Sequence, residues 1–115
     1  IISAATRQQA PEFAAIEIDL LIVKGRLVPE RIYTLLGDAT VAQTPAFQEF
    51  AAAHEKMLAT YRGQKWDEAI ALAEQCGKLR EDLSALYGHY IQRMLAFKET
   101  PPPASWQGVW VAKDK

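Results

Sequence analysis

This 115-residue sequence contains little cysteine and no surplus of charge of either sign. A single cysteine, Cys76, excludes an internal disulfide and favours a reducing compartment. The 13 Lys and Arg against 14 Asp and Glu give a formal net charge of −1. Such a balance produces no global basic field, so nucleic acid is not an implied partner. No apolar run approaches the ~18 residues of a membrane helix, so we predict no membrane contact by this chain.

The start of the chain also lacks an initiator methionine and a signal-peptide pattern. Ile1-Ile2-Ser3 instead resembles the end of a β-strand. We therefore interpret the sequence as a piece of a longer protein, with room for the end of one domain and a small second unit.

The stretch from residue 16 to residue 37 has the pattern of a β-hairpin. Apolar residues alternate with a period of two, as in half-buried strands; they are Ile16, Ile18, Leu20 and Ile22, then Ile32, Thr34 and Leu36. Between them, Lys24-Gly25-Arg26 places two cations around a conformationally free glycine. This tip can reach an anion, although two cations on a turn are more often simply solvated.

Shorter signals surround the hairpin. Ser3 can cap a short helix from Ala4 to about Ala10, which Pro11 would stop. Residues 38–44 show no usable period and are interpreted as a linker.

Residues 45–99 have the apolar periodicity of three helices. Thr44 and Pro45 predict the start of the first helix, and Gly77 is a plausible end of the second. The third helix is predicted from about Asp82 to Lys98. The predicted inward residues are Phe47, Phe50, Ala51, His54, Met57, Leu58 and Tyr61; Trp66, Ala69, Ile70, Ala73 and Cys76; and Leu83, Leu86, Tyr87, Tyr90, Ile91, Met94 and Phe97.

The segment between the first two helices, Tyr61 to Ile70, resembles the turn of a tetratricopeptide repeat. It has an aromatic residue, a glycine-bearing turn, a second aromatic and Glu-Ala-Ile, although the glycine stands one position early. We therefore predict an α+β fold that is mostly α. It has an N-terminal hairpin with a short helix (1–37), a linker (38–44), an antiparallel three-helix, tetratricopeptide-like module (45–99) and an extended tail (100–115).

The tail contains Pro101-Pro102-Pro103, which cannot continue a helix. These prolines could bind an SH3-like groove. We favour a tail that lies back on the helices and is anchored by Trp106 and Trp110.

Other polar residues are given structural interpretations. His54 and His89 lack acidic or cysteine companions at ligand spacing, so we predict core or surface histidines and no metal site. Cys76 is interpreted as a small apolar helix residue, and Glu81-Asp82 as a helix-start signal. Neither Asp19 nor Asp38 stands in a metal-binding context.

Several motifs in order resemble the C-terminal end of a bacterial class III adenylate or guanylate cyclase. The catalytic domains of this family commonly end in Val-Lys-Gly-Lys, then Pro-Val and Tyr-Glu-Leu. The matching residues here are Ser3 and Thr6, Phe13, Glu17-Ile18-Asp19, Lys24-Gly25, Pro29 and Tyr33. The helical turn, the three prolines and Ser105 to Val109 are similar to a C-terminal extension of many bacterial members.

The resemblance implies conversion of a nucleoside triphosphate to its 3′,5′-cyclic monophosphate plus pyrophosphate, in a homodimer of catalytic domains. Two Mg or Mn ions would act in the parent enzyme. Lys24 matches the lysine that reaches the nucleotide polyphosphate, and Arg26 replaces a commoner lysine. The metal-binding, base-recognition and transition-state residues would lie upstream of Ile1, so this chain alone should bind no cofactor and be inactive.

The resemblance further implies cytoplasmic catalysis in cyclic-nucleotide signalling, with an inner-membrane anchor upstream left open. The helices would serve regulation, dimer contacts or a protein partner. Two alternatives remain: a non-enzymatic, tetratricopeptide-like interaction module, and a stand-alone ligand-binding domain. The preferred base, ATP or GTP, is not indicated.

Overall fold

The computed structural model describes residues 2–22, 29–106 and 108–111, and it is α+β and mostly α, as predicted. The chain divides into two compact units. The sheet unit comprises Ile1–Gln48 and Gly108–Lys115, and the helical unit comprises Glu49–Gln107. In the described part of the chain, no helix combines the length and apolar character needed to cross a membrane.

The sheet unit contains four strands in the order β1-β3-β2-β4. β2 and β3 form the predicted antiparallel hairpin, and β1 also pairs with β3 in an antiparallel arrangement. β4 lies parallel to β2, with Leu21 opposite Trp110. The elements are β1 (Ile2–Ser3), α1 (Ala4–Gln8), β2 (Ala14–Ile22), β3 (Glu30–Gly37), α2 (Ala39–Ala42) and β4 (Trp110–Val111).

A β-bulge in β2 breaks the predicted alternation of apolar residues. Glu17 pairs with Tyr33 and Asp19 pairs with Ile32, so Ile18 is an extra residue on its strand. One extra residue moves the following side chains to the other face of the sheet. Leu20 consequently lies opposite Arg31, away from the face of Ile16. The prediction of one continuous apolar face along β2 is therefore wrong beyond Glu17.

Side-chain caps determine both short helices. The Ser3 hydroxyl accepts a hydrogen bond from the Thr6 amide at 3.3 Å, as predicted for the start of α1. α1 ends at Gln8, earlier than predicted, since a residue before proline avoids helical angles. Asp38 caps α2 by accepting from the amides of Thr40 and Val41. This one-turn helix lies in the stretch that we interpreted as a linker. A single turn is too short to show a helical period in the sequence.

The helical elements are α3 (Pro45–Arg62), which begins in the sheet unit, α4 (Trp66–Leu79), a 3-10 helix (Glu81–Leu83) and α5 (Ser84–Glu99). α4 continues past Gly77, so the predicted end at Gly77 is wrong. A Cβ at that position would lie 3.8 Å from the Tyr87 Cβ, which places Gly77 where α4 passes close to α5.

The core of the helical unit follows the predicted inward faces. Its buried residues are Phe50, His54, Met57, Leu58, Tyr61, Ala69, Ala73, Cys76, Tyr87, Tyr90, Arg93 and Met94. Arg93 was not predicted there, since a guanidinium is buried only when it is paired.

The two tryptophans of the tail have different positions. Trp106 contacts the helices, as predicted. Trp110 belongs to β4 and pairs with β2, so the prediction that it anchors the tail to the helices is wrong.

Candidate functional site

The cation site predicted from the sequence falls on the connection between β2 and β3. The outermost pair between β2 and β3 in the described residues joins Leu21 to Glu30. Lys24 and Arg26 belong to the connection between the strands and lie outside the described residues. Their assignment to a nucleotide phosphate therefore stays a prediction.

The described residues near this end have local structural partners. Glu17 accepts a hydrogen bond from Arg31 at 2.8 Å across the hairpin. The Asp19 carboxylate accepts the Leu20 amide at 3.0 Å. A shallow cavity of about 330 Å³ lies beside the start of β3, with both Glu30 and Arg31 in its lining. The lining thus carries one charge of each sign.

The helical unit contains a second candidate, which we call the aromatic cleft and define by Tyr61, Trp66 and Phe97. Trp66 and Phe97 stack with ring centroids 5.2 Å apart and an interplanar angle of 26°. Tyr61 meets Trp66 edge to face at 5.9 Å. The cleft therefore joins the end of α3, the start of α4 and the end of α5 around one aromatic surface.

The tail occupies this cleft. The half-buried Trp106 ring lies 5.3 Å from Tyr61, 5.8 Å from Trp66 and 5.2 Å from Phe97, measured between ring centroids. The Gln64 side-chain amide donates to the Pro103 carbonyl at 2.9 Å. The Trp106 ring and the Gln64 hydrogen bond thus hold the segment 101–106 against the turn between α3 and α4 and the end of α5.

The turn that presents Gln64 is a Schellman motif. The Lys65 amide donates to the Thr60 carbonyl and the Gln64 amide to the Tyr61 carbonyl, the two bonds that define the motif. Gln64 has φ 63°, in the left-handed region where glycine is usual. The structure thus puts the left-handed residue at the position where the tetratricopeptide pattern expects glycine, one residue after Gly63.

A buried arginine supports the cleft from the core. Arg93 donates to the Tyr61 hydroxyl at 3.3 Å, and its guanidinium carbon lies 5.5 Å from the Tyr90 ring centroid. Tyr61 is 1% exposed. Its hydrogen bond with Arg93 holds its ring in contact with Trp106.

Three buried polar side chains, one from each long helix, lie near one another in the core of the helical unit. The Tyr87 hydroxyl lies 2.7 Å from His54 Nδ1, and Tyr87 interacts electrostatically with Cys76. Burial raises the pKa of Cys76, and it also raises the pKa of Tyr87. Both groups therefore keep their protons at neutral pH, so Cys76 is a poor nucleophile and packs as a small residue.

The remaining predicted residues do not assemble into a site. His54 is buried in α3, whereas His89 is exposed on α5. Asp38 caps α2, and Asp82 accepts two hydrogen bonds from the Arg80 side chain. In residues 2–22, 29–106 and 108–111, no three His, Cys, Asp or Glu side chains are grouped to hold a metal ion.

Comparison with known proteins adds no relative: no protein-family model, curated protein or solved structure matches this chain. The aromatic residues of the cleft were visible in the sequence, since Tyr61 and Trp66 flank the turn and Phe97 lies on a predicted inward face. Gln64 and Arg93 were missed. Neither residue type signals its role, because both roles depend on contacts between distant segments.

Proposed function

We propose that this chain is the C-terminal part of a class III nucleotide cyclase. The parent enzyme would convert ATP or GTP to the 3′,5′-cyclic monophosphate and pyrophosphate, with two divalent metal ions. Lys24 would contact the polyphosphate, where an ammonium stabilises the charge that develops on the leaving pyrophosphate. The helices would then be a regulatory or partner-binding extension of a cytoplasmic catalytic dimer.

The observation that carries the proposal is the arrangement of the sheet unit. A short strand leads through a Ser3-capped helix into an antiparallel hairpin, whose connecting residues contain Lys24-Gly25-Arg26. The Ser3 hydroxyl accepts from the Thr6 amide and donates to the Thr6 hydroxyl at 3.2 Å, which gives a physical reason for the Ser-x-x-Thr spacing of the cyclase-like motif. The motif residues on both sides of the connection therefore have positions that suit the proposed order.

The test uses the whole gene product that carries this sequence. Purified protein is incubated with ATP or GTP and Mg²⁺ or Mn²⁺, and cyclic nucleotide and pyrophosphate are quantified. We expect metal-dependent formation of both products in equal amounts from at least one triphosphate. The 115-residue chain, assayed alongside, should form neither. Absence of cyclic product from the folded, dimeric gene product with both nucleotides and both metals would contradict the proposal.

The second candidate is a non-enzymatic, tetratricopeptide-like interaction module. The turn between α3 and α4 favours it, because Tyr61 and Trp66 flank that turn and line a cleft occupied by an extended segment. Peptide binding at the cleft by a gene product without cyclase activity would select this candidate.

A further inference from the structure

We propose that the aromatic cleft is a binding site for a proline-rich peptide with a tryptophan. The chain's own segment 101–106 occupies the site as a displaceable ligand. The partner would be a segment of another protein with the same chemistry: consecutive prolines followed, three residues after the last, by tryptophan. This site is independent of the nucleotide chemistry proposed for the hairpin.

The tail segment contacts the aromatic cleft while most of its side chains remain exposed. Pro101, Pro103, Ala104 and Ser105 are exposed, and Trp106 itself is only half-buried. A segment that buries few side chains separates from the protein at low free-energy cost. The residues beneath it, by contrast, belong to the core or stack on one another.

The chemistry of the cleft suits such a ligand. Three consecutive prolines favour the extended polyproline II conformation, so little chain entropy is lost on binding. Grooves that recognise such segments are lined by aromatic rings. Here the stacked Trp66 and Phe97 provide the rings, and Gln64 provides the donor to Pro103.

The covalently attached tail competes with any partner. A short tether gives an effective concentration on the order of millimolar. If the free peptide binds with a Kd on the order of 100 µM, the resident tail weakens its apparent affinity about tenfold. Removing the tail tryptophan should therefore unmask the site.

The experiment measures binding of a fluorescent peptide, with the sequence of residues 100–107, to the full chain by anisotropy. We expect the Trp106→Ala chain to bind it with a Kd on the order of 100 µM and the wild-type chain at least about tenfold more weakly. The Trp110→Ala chain is the matched control and should behave like wild type, since Trp110 lies in β4. A peptide with Ala in place of its tryptophan should not bind.

Any other result would contradict the proposal that the aromatic cleft binds a peptide. A folded Trp106→Ala chain that does not bind peptide, or binds no better than wild type, would show that the tail is a fixed part of the core. If Trp106→Ala does not fold, Trp106→Leu is assayed in the same way. Failure of both to fold would overturn the proposal, as would a wild-type dimer that requires Trp106, which would show tail exchange between copies.

Discussion

At the scale of single residues, two glycines of this chain differ in the room that their surroundings leave for a side chain. A Cβ added to Gly37 would lie 2.6–2.8 Å from three side-chain carbons of Val41, closer than atoms can approach. A Cβ added to Gly88, on the exposed side of α5, would meet nothing within 4 Å. The first glycine is needed for close packing between β3 and α2, whereas the second is a dispensable helix residue.

We therefore predict that Gly37→Ala destabilises the sheet unit by about 1–3 kcal/mol through overpacking. Gly88→Ala should stabilise the helical unit by about 0.5–1 kcal/mol, because alanine favours helix. Urea titrations followed by the backbone NMR signals of each unit separate the two effects. Equal effects of the two substitutions would contradict the packing of α2 on Gly37.

The Cys76–Tyr87 pair predicts a loss of stability in alkaline solution. Folding raises the pKa of both groups above ordinary values of 9.0 and 10.0. As the pH rises, the unfolded chain therefore releases these protons before the folded chain does. Above the ordinary pKa of each group, the free energy of unfolding falls by up to about 1.4 kcal/mol per pH unit for that group. The contribution of these two groups to stability is fully retained below pH 9.

The control is Cys76→Ala, which lacks the thiol and should lose less stability than wild type between pH 9 and pH 10. Helix content at 222 nm during urea unfolding measures the difference. Parallel pH profiles of the two proteins would show that the thiol ionises equally in both states, against the burial of Cys76.

At the scale of elements, the turn between α3 and α4 contains a strained residue that also binds the tail. Gln64 occupies a left-handed position that costs a non-glycine residue roughly 1 kcal/mol. Its side chain holds the Pro103 carbonyl. This residue thus exchanges some turn stability for a contact with the tail.

Gln64→Gly should therefore stabilise the helical unit by about 0.5–1 kcal/mol while it loosens the tail. The loosening is measured as faster hydrogen exchange at the Trp106 amide, which donates to Pro103. Gly63→Ala is the comparison, since residue 63 does not have a positive φ and its Cβ would meet the carbonyl oxygens of Ala59 at 3.3 Å and Thr60 at 3.6 Å. A destabilised Gln64→Gly chain would contradict strain at residue 64.

The elements also show how far periodicity predicts this fold. The hairpin strands and the three long helices were predictable because apolar residues recur at the period of each element, and Ser3 and Pro11 bounded α1 through local chemistry. The bulge at Ile18 was not predictable, because it depends on pairing with β3. The position of β4 was equally hidden, since two residues beside β2 leave no periodic signal.

At the scale of the whole molecule, the two units carry different candidate functions. The sheet unit contains the hairpin whose connecting residues include Lys24, and the helical unit contains the aromatic cleft. The aromatic cleft and its occupant bring together side chains that are far apart in the sequence; Tyr61 and Trp106 are 45 positions apart. Sequence patterns alone could therefore suggest only part of this site. The residues of the predicted cation site, in contrast, are contiguous in the sequence, so a sequence pattern could suggest all of them.

The role of Lys24 in cyclisation is tested most directly by kcat/KM for cyclic nucleotide formation by the whole gene product. We predict that Lys24→Ala lowers this value about 10²-fold, the usual effect of removing one group that stabilises transition-state charge. Lys56→Ala, which removes an exposed lysine of α3, should leave it unchanged. Equal kcat/KM values for the Lys24→Ala, Lys56→Ala and unmodified enzymes would contradict the assignment of Lys24 to the polyphosphate.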